Sequence, residues 1–209
     1  MGAGTYTLYG RPGAGSFAPQ VLLEEIGARY ERIWISRDAA AVAAYKKINP
    51  TGKVPALTLP EGPVIFESAA ICVHLATVHS DAKLAPRAGT PGYAQFLQWM
   101  VYMAANLYDS ALRIYYPARY TAAGERLAEE VKAQATTEFM GHLQFISESL
   151  APYVLGEALS AADGYLYMLA SWYPGELKEL HARLPKLGAH SSLIAARPAT
   201  RKVEADNAT

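Results

Sequence analysis

The sequence predicts a small α/β domain followed by an all-helical domain. Three observations predict it. Short β-rich runs alternate with helical runs through the first eighty residues, a Pro- and Gly-rich stretch then breaks the pattern, and every later apolar repeat has helical spacing. The expected boundaries are 1–80 for the α/β domain, 81–92 for the linker and 93–209 for the helical domain. A chain of 209 residues fits one large or two small domains, at about 150 residues each.

Tyr6 to Tyr9 is aromatic and β-branched, and Gly10-Arg11-Pro12-Gly13 ends it, so a strand runs into a turn. Val21, Leu22, Leu23 and Ile26 recur at helical spacing between about Phe17 and Ala28. Tyr30 to Ile35 alternates as a second strand. Asp38 is placed to cap a helix through about Lys47. Asn49-Pro50-Thr51-Gly52 is turn chemistry. Val54 to Leu59 and Val64 to Phe66 flank Pro60-Glu61-Gly62-Pro63, which predicts an antiparallel hairpin. Ser68 is expected to cap the helix that follows. The order β-α-β-α-β-β-α describes a mixed sheet with helices on both faces.

After the linker, Tyr93 to about Tyr115 and Gly124 to Leu150 read as two long helices. Ser160 to Trp172, Glu176 to His181 and Pro185 to about Ala196 read as shorter ones. Ser160-Ala-Ala-Asp163 resembles a capping box with Asp in place of Glu. The last dozen residues are polar and are expected to fray.

Composition removes several function classes. The 19 basic and 19 acidic residues balance, which argues against a nucleic-acid surface. No apolar run reaches the roughly 18 residues of a membrane span, and the first residues lack a secretory pattern. The single Cys72 permits neither an internal disulfide nor a CxxC pair. A cytoplasmic enzyme or binding protein is expected.

Asn49-Pro50-Thr51-Gly52-Lys53-Val54-Pro55-Ala56-Leu57, followed by Phe66-Glu67-Ser68-Ala69-Ala70-Ile71, resembles the glutathione-binding half of cytosolic glutathione transferases. Leu8 to Ser16 is similar to the family's first strand and active-site loop, nearest to bacterial beta-like members. Leu155-Gly156 through Asp163 is similar to its capping motif. The resemblance covers nearly the whole chain and implies a thioredoxin-like N-terminal domain with an all-α C-terminal domain. It also implies glutathione as co-substrate, and it implies a homodimer. No metal is expected, since the five histidines show no ligand spacing.

Glutathione is an extended tripeptide with two carboxylates, one ammonium and a thiol. The resemblance makes Pro55 the cis-proline whose turn leaves the Val54 N–H and C=O open to the cysteinyl backbone, as an added strand would use them. Ser68 at a helix start is suited to the γ-glutamyl carboxylate, Glu67 to the ammonium and Lys53 to the glycyl carboxylate. Each residue also has a plain reading: an N-cap serine, an acid favoured by a helix dipole, a solvated lysine, a trans proline.

The expected chemistry is thiolate formation, because a thiol of pKa about 8.5 is only about 3% ionised at pH 7. In beta-like members a cysteine follows Pro-Gly-Ala in this loop, and here that place is Gly15. A mixed disulfide there is excluded. Ser16 is the first candidate hydroxyl, with an N-cap role as its alternative. Tyr9 is the second, and strand alternation equally allows it to face the core. Cys72 reads as a buried, inert thiol.

Six of the fourteen tyrosines lie between Tyr93 and Tyr120. Trp99, Tyr102, Asn106, Asp109 and Arg113 share one helix face by spacing. By resemblance this face borders the second substrate, so Tyr108, Arg113 and Tyr116 are candidate pocket residues. An Asp109–Arg113 ion pair and tyrosine packing are the alternatives. The expected activity is a detoxifying transfer of the glutathione thiolate to a small apolar electrophile. The alternatives are a non-catalytic binding or regulatory protein, and glutathione-dependent ether cleavage, isomerisation or peroxidase chemistry.

Overall fold

The computed structural model describes residues 4–208, which fall into two units. The first runs up to Ala88 and resumes at Ala195; the second is Gly89–Ile194.

In the first unit the order is β1 (Tyr6–Gly10), α1 (Phe17–Glu25), β2 (Tyr30–Trp34), α2 (Ala39–Tyr45), β3 (Ala56–Thr58), β4 (Val64–Phe66) and α3 (Ser68–Val78). The sheet order is β2-β1-β3-β4, with β1 and β2 parallel and the other pairs antiparallel. This is the thioredoxin-like arrangement that the sequence predicts, including the hairpin. Alternation decides the faces. Leu8 pairs with Leu57, and Leu57 with Ile65, so these side chains share one face. Leu8, Leu23, Leu57, Ile71 and Leu75 are fully buried, and α1 packs on α3. Each such side chain contributes roughly 1.5–3 kcal/mol. Tyr9 points to the opposite face, where its ring centroid lies 5.9 Å from that of the buried Tyr45 of α2. Asp38 caps α2 by accepting the Ala41 N–H at 2.8 Å. Cys72 is buried, and desolvation pushes its thiol well above the ordinary range, which leaves it inert.

The second unit is helical: α4 (Pro91–Tyr102), α5 (Tyr108–Tyr115), α6 (Ala128–Ser149), α7 (Ala161–Ala170), α8 (Leu177–Arg183) and α9 (Pro185–Ala195). The single long helix expected from Tyr93 is divided by a π-helical turn at Met103–Leu107. A π-turn inserts a residue into the helical repeat, so positions that share a face by simple counting drift apart across it. The expected capping box is present at Ser160. The buried Asp163 carboxylate accepts the Ser160 N–H at 2.7 Å, the Val154 N–H at 2.8 Å and the Ser160 hydroxyl at 3.0 Å. His190 Nε2, also buried, lies 3.0 Å from it. One carboxylate thus ties the start of α7, the preceding loop and α9.

Most of the last dozen residues, expected to fray, are helical among the described residues. They form α10 (Pro198–Asn207), which belongs to the first unit rather than to the helical one. Polar pairs hold α10 to the first unit. Arg197 binds Glu25 through Nε at 2.5 Å and Nη2 at 2.7 Å. Lys202 reaches Glu24, and Asp206 pairs with Arg32 and with the Gln20 amide. Val203 and Thr200 are buried beneath them. Among the described residues no helix is long and apolar enough to cross a membrane.

The Asp163 network gives a stability prediction. Asp163→Ala leaves several buried donors unsatisfied and is expected to cost about 3 kcal/mol or more, read as a shift in the urea midpoint. A change below about 1 kcal/mol would contradict this reading.

Candidate functional site

Strand register gathers the predicted glutathione residues. Tyr9 lies opposite Ala56, and Ala56 opposite Phe66. Continuing these ladders past the ends of the strands brings three segments to one end of the sheet: Gly10–Arg11, Val54–Pro55 and Glu67–Ser68. Neighbouring strands are about 4.8 Å apart, so the three segments span about 10 Å.

The middle segment is held from below. Asn49 is 1% exposed. Its Oδ1 accepts the Thr51 N–H at 3.1 Å and the Thr51 hydroxyl at 2.9 Å, which closes an Asx turn. Its Nδ2 donates to the Lys53 carbonyl at 2.6 Å, and the Tyr45 hydroxyl donates to the same carbonyl at 3.0 Å. Gly52 sits at φ +68°, a left-handed conformation that favours glycine. The Val54–Pro55 peptide is cis. Among the described residues no hydrogen bond reaches the Val54 N–H or C=O. Lys53 is exposed on this loop.

The third segment starts α3. Ser68 is not the cap, as expected from sequence, but the first helical residue; Glu67 takes the cap position without a side-chain cap bond. Ser68 is buried. Glu67 is exposed and adopts φ 71°, ψ 113°. A non-glycine residue in such a region costs of order 1–3 kcal/mol and persists where its surroundings hold it. Glu67 therefore stands at the positive, N-terminal end of α3, across the continued ladder from Pro55.

The first segment is the loop before α1. Ser16 occupies the helix start but makes no side-chain cap bond. It is fully buried, and its Oγ accepts the Arg11 N–H and donates to the Arg11 carbonyl, both at 3.1 Å. Gly10 makes this possible: a Cβ there would sit 2.6 Å from Ser16 Oγ and 2.8 Å from Trp34. The Arg11 guanidinium donates to the carbonyls of Ile35 and Ser36 at 2.9 and 3.3 Å. The Gly13 N–H reaches Asn207 Oδ1 of α10 at 3.4 Å. No hydrogen bond reaches the Gly15 or Ser16 N–H among the described residues. Tyr9 lies on the Tyr45 side of the sheet, the face opposite Leu8.

The expected second-substrate residues lie on and after α5 in the other unit. Tyr108 packs edge-on against Trp172 at 5.0 Å, and Tyr116 carries the Arg119 guanidinium over its ring at 4.2 Å. Arg113 is held by two carboxylates, Asp109 at 2.9 Å and Glu138 at 2.6 Å. The Asp109–Arg113 alternative is therefore realised and extended: one cation is shared by two carboxylates, and the side chains brace α5 against α6. Asn106 turns back to donate to the Tyr102 carbonyl at 3.0 Å. Sequence reasoning left out the supports of the first unit: Tyr45, Asn49 and Gly10. The turn-forming Asn-Pro pair was a signal for Asn49; Tyr45 carried none.

Comparison with known proteins identifies the family. Residues 17–78 match the family model described as glutathione S-transferase, N-terminal domain. An uncharacterized GST-like protein, YncG, of Escherichia coli K12 is 30% identical over 80% of this chain and 82% of its own length. A glutathione transferase homologue from Sulfitobacter, solved with bound glutathione, superposes with a TM-score of 0.86. It is 27% identical, over 97% of this chain and 98% of its own. A beta class glutathione S-transferase from Sphingomonas chungbukensis is also 27% identical, with a TM-score of 0.80 over 96% of this chain and 98% of its own. The chain belongs to the glutathione S-transferase family.

Two substitutions test the site's construction. Glu67→Gly relieves the left-handed backbone and is expected to raise stability by about 1 kcal/mol in chemical denaturation, net of glycine's added chain entropy. Gly10→Ala forces the Ser16 loop to move and is expected to cost about 1–3 kcal/mol. An unchanged midpoint for Gly10→Ala would contradict the packing described for Ser16.

Proposed function

We propose that the protein is a glutathione transferase that binds glutathione at this sheet end and transfers its thiolate to a small apolar electrophile. The observation that carries the reading is the unpaired Val54 backbone, set beside Glu67 and the start of α3. An extended peptide can add to Val54 as a strand. Its γ-glutamyl carboxylate then meets the N–H end of α3 at Ser68, and its ammonium meets Glu67. Lys53 supplies a cation for the glycyl carboxylate. The cysteinyl sulfur is directed to the start of α1, where the helix dipole and main-chain N–H groups favour an anion.

Ser16 is the proposed side-chain donor at that point. Its proton rests on the Arg11 carbonyl, so donation to sulfur requires the hydroxyl to turn. Tyr9 faces the other side of the sheet, which favours Ser16 over it. Tyr108 and Tyr116, with Trp172, offer aromatic surface for an apolar electrophile. Arg113 is proposed to brace that surface through its two carboxylates. A cytoplasmic homodimer is the assembly that fits the family, and no metal enters the proposed reaction.

A binding protein without catalysis is the second reading. The complete burial of Ser16 and the glycine at position 15 favour it.

Steady-state kinetics with aryl halide, epoxide and hydroperoxide substrates separates these readings. Glu67→Ala is expected to raise the KM for glutathione at least tenfold. Ser16→Ala is expected to lower kcat/KM at least tenfold with some of these substrates. Full activity of Ser16→Ala would remove the role proposed for its hydroxyl. No turnover with any class would favour the binding protein.

A further inference from the structure

The Lys53 carbonyl is unusual in having both of its acceptor directions filled by side chains. Asn49 Nδ2 donates to it at 2.6 Å and the Tyr45 hydroxyl at 3.0 Å. Both donors are buried, Asn49 to 1% exposure and Tyr45 to 2%. Burial also pushes the Tyr45 phenol up, so it remains a protonated donor at neutral pH.

The Lys53 C=O and the Val54 N–H belong to one planar peptide unit, which is trans. In a trans unit the two groups point in opposite directions. Fixing the carbonyl inward therefore fixes the N–H outward. Without the two donors this plane can rotate about its flanking backbone torsions, because no other hydrogen bond among the described residues reaches the Val54 N–H. Asn49 also spends its Oδ1 on Thr51, at 2.9 and 3.1 Å, and the Thr51 Oγ1 accepts the Lys53 N–H at 3.2 Å. Every polar atom of the Asn49 side chain and of Thr51's hydroxyl is thus used to set the loop that ends at Val54.

We infer that Tyr45 and Asn49 are positioning residues for glutathione: they aim the Val54 N–H at the cysteinyl backbone by clamping the other end of its peptide plane. The inference rests on the proposed reading of Val54 as the tripeptide's partner. Neither residue touches glutathione in this scheme. Their effect is on its affinity and not on the chemical step. Tyr45 also couples the clamp to β1, through the ring contact with Tyr9 at 5.9 Å.

The test is calorimetric binding of glutathione, with steady-state kinetics, on wild type, Tyr45→Phe, Asn49→Ala and Asn49→Asp. Tyr45→Phe keeps the ring and its packing and removes only the hydroxyl donor. It is expected to weaken glutathione binding about five- to tenfold, the scale of one hydrogen bond. Its kcat at saturating glutathione and its KM for the electrophile should stay within twofold of wild type. Asn49→Asp keeps an acceptor for Thr51, loses the donor to Lys53, and is expected to bind no better than Asn49→Ala. A purely structural role predicts lower melting temperatures with unchanged affinity in the folded protein. Affinity within twofold of wild type for both Tyr45→Phe and a folded Asn49 variant would overturn the clamp while leaving the binding site intact. A wild-type protein that does not bind glutathione would overturn the proposed reading and the clamp together, and the wild-type titration alone identifies that case.

Discussion

The antiparallel register of β3 with β1 and β4 is the constraint on which the site depends. Tyr9, Ala56 and Phe66 stand side by side, and successive residues of a strand face opposite sides of the sheet. A slip of one residue would move Leu57 out of the core and rotate the segments on both sides of it. The buried Leu8–Leu57 pair and the short Pro60–Pro63 connection make that slip costly. The loops after β1, before β3 and after β4 therefore converge on one end of the sheet, whatever residues they contain.

Given that convergence, the loop residues divide the work. Asn49 and Tyr45 set a backbone plane from beneath. Gly10 admits Ser16 into the core, where its hydroxyl closes the loop instead of capping the helix. Glu67 holds an uncommon backbone conformation, with its carboxylate exposed beside a helix start. The helix α10 adds a second support, since its Asp206 and Asn207 engage Gln20 of α1, and Asn207 also contacts the loop at Gly13. The site is thus built from main-chain groups held by buried side chains, and few exposed side chains need to be particular.

Most of the fold was legible because its signals are local. Alternation marked the strands, Pro60 to Pro63 marked the hairpin, and Ser160 with Asp163 marked a helix start through their spacing. The motif residues of the candidate site could be read as a pattern, and the register brings Val54, Pro55, Glu67 and Ser68 together. Other features were not local. The π-turn at Met103–Leu107 escapes any count that assumes one helical period. The fate of the Ser16 hydroxyl depends on the missing Cβ of Gly10 six residues earlier. The helix α10 looked like a polar tail because its partners, Glu24, Glu25 and Arg32, lie more than 150 residues away in sequence. Tyr45 carries no motif, and its role appears only when its hydroxyl is seen on the Lys53 carbonyl.

This sheet end is proposed to bind glutathione and to ionise its thiol. Calorimetric titration of the wild-type protein with glutathione near pH 6.5, in two buffers of different ionisation enthalpy, tests it most directly. Both the free thiol and the bound form are measured against the same proton reservoir, so the difference in apparent enthalpy counts protons released. Saturable binding is expected, with net release of a sizeable fraction of one proton that disappears when S-methylglutathione replaces glutathione. Binding without proton release would contradict thiolate formation, and no binding at millimolar glutathione would contradict the site itself.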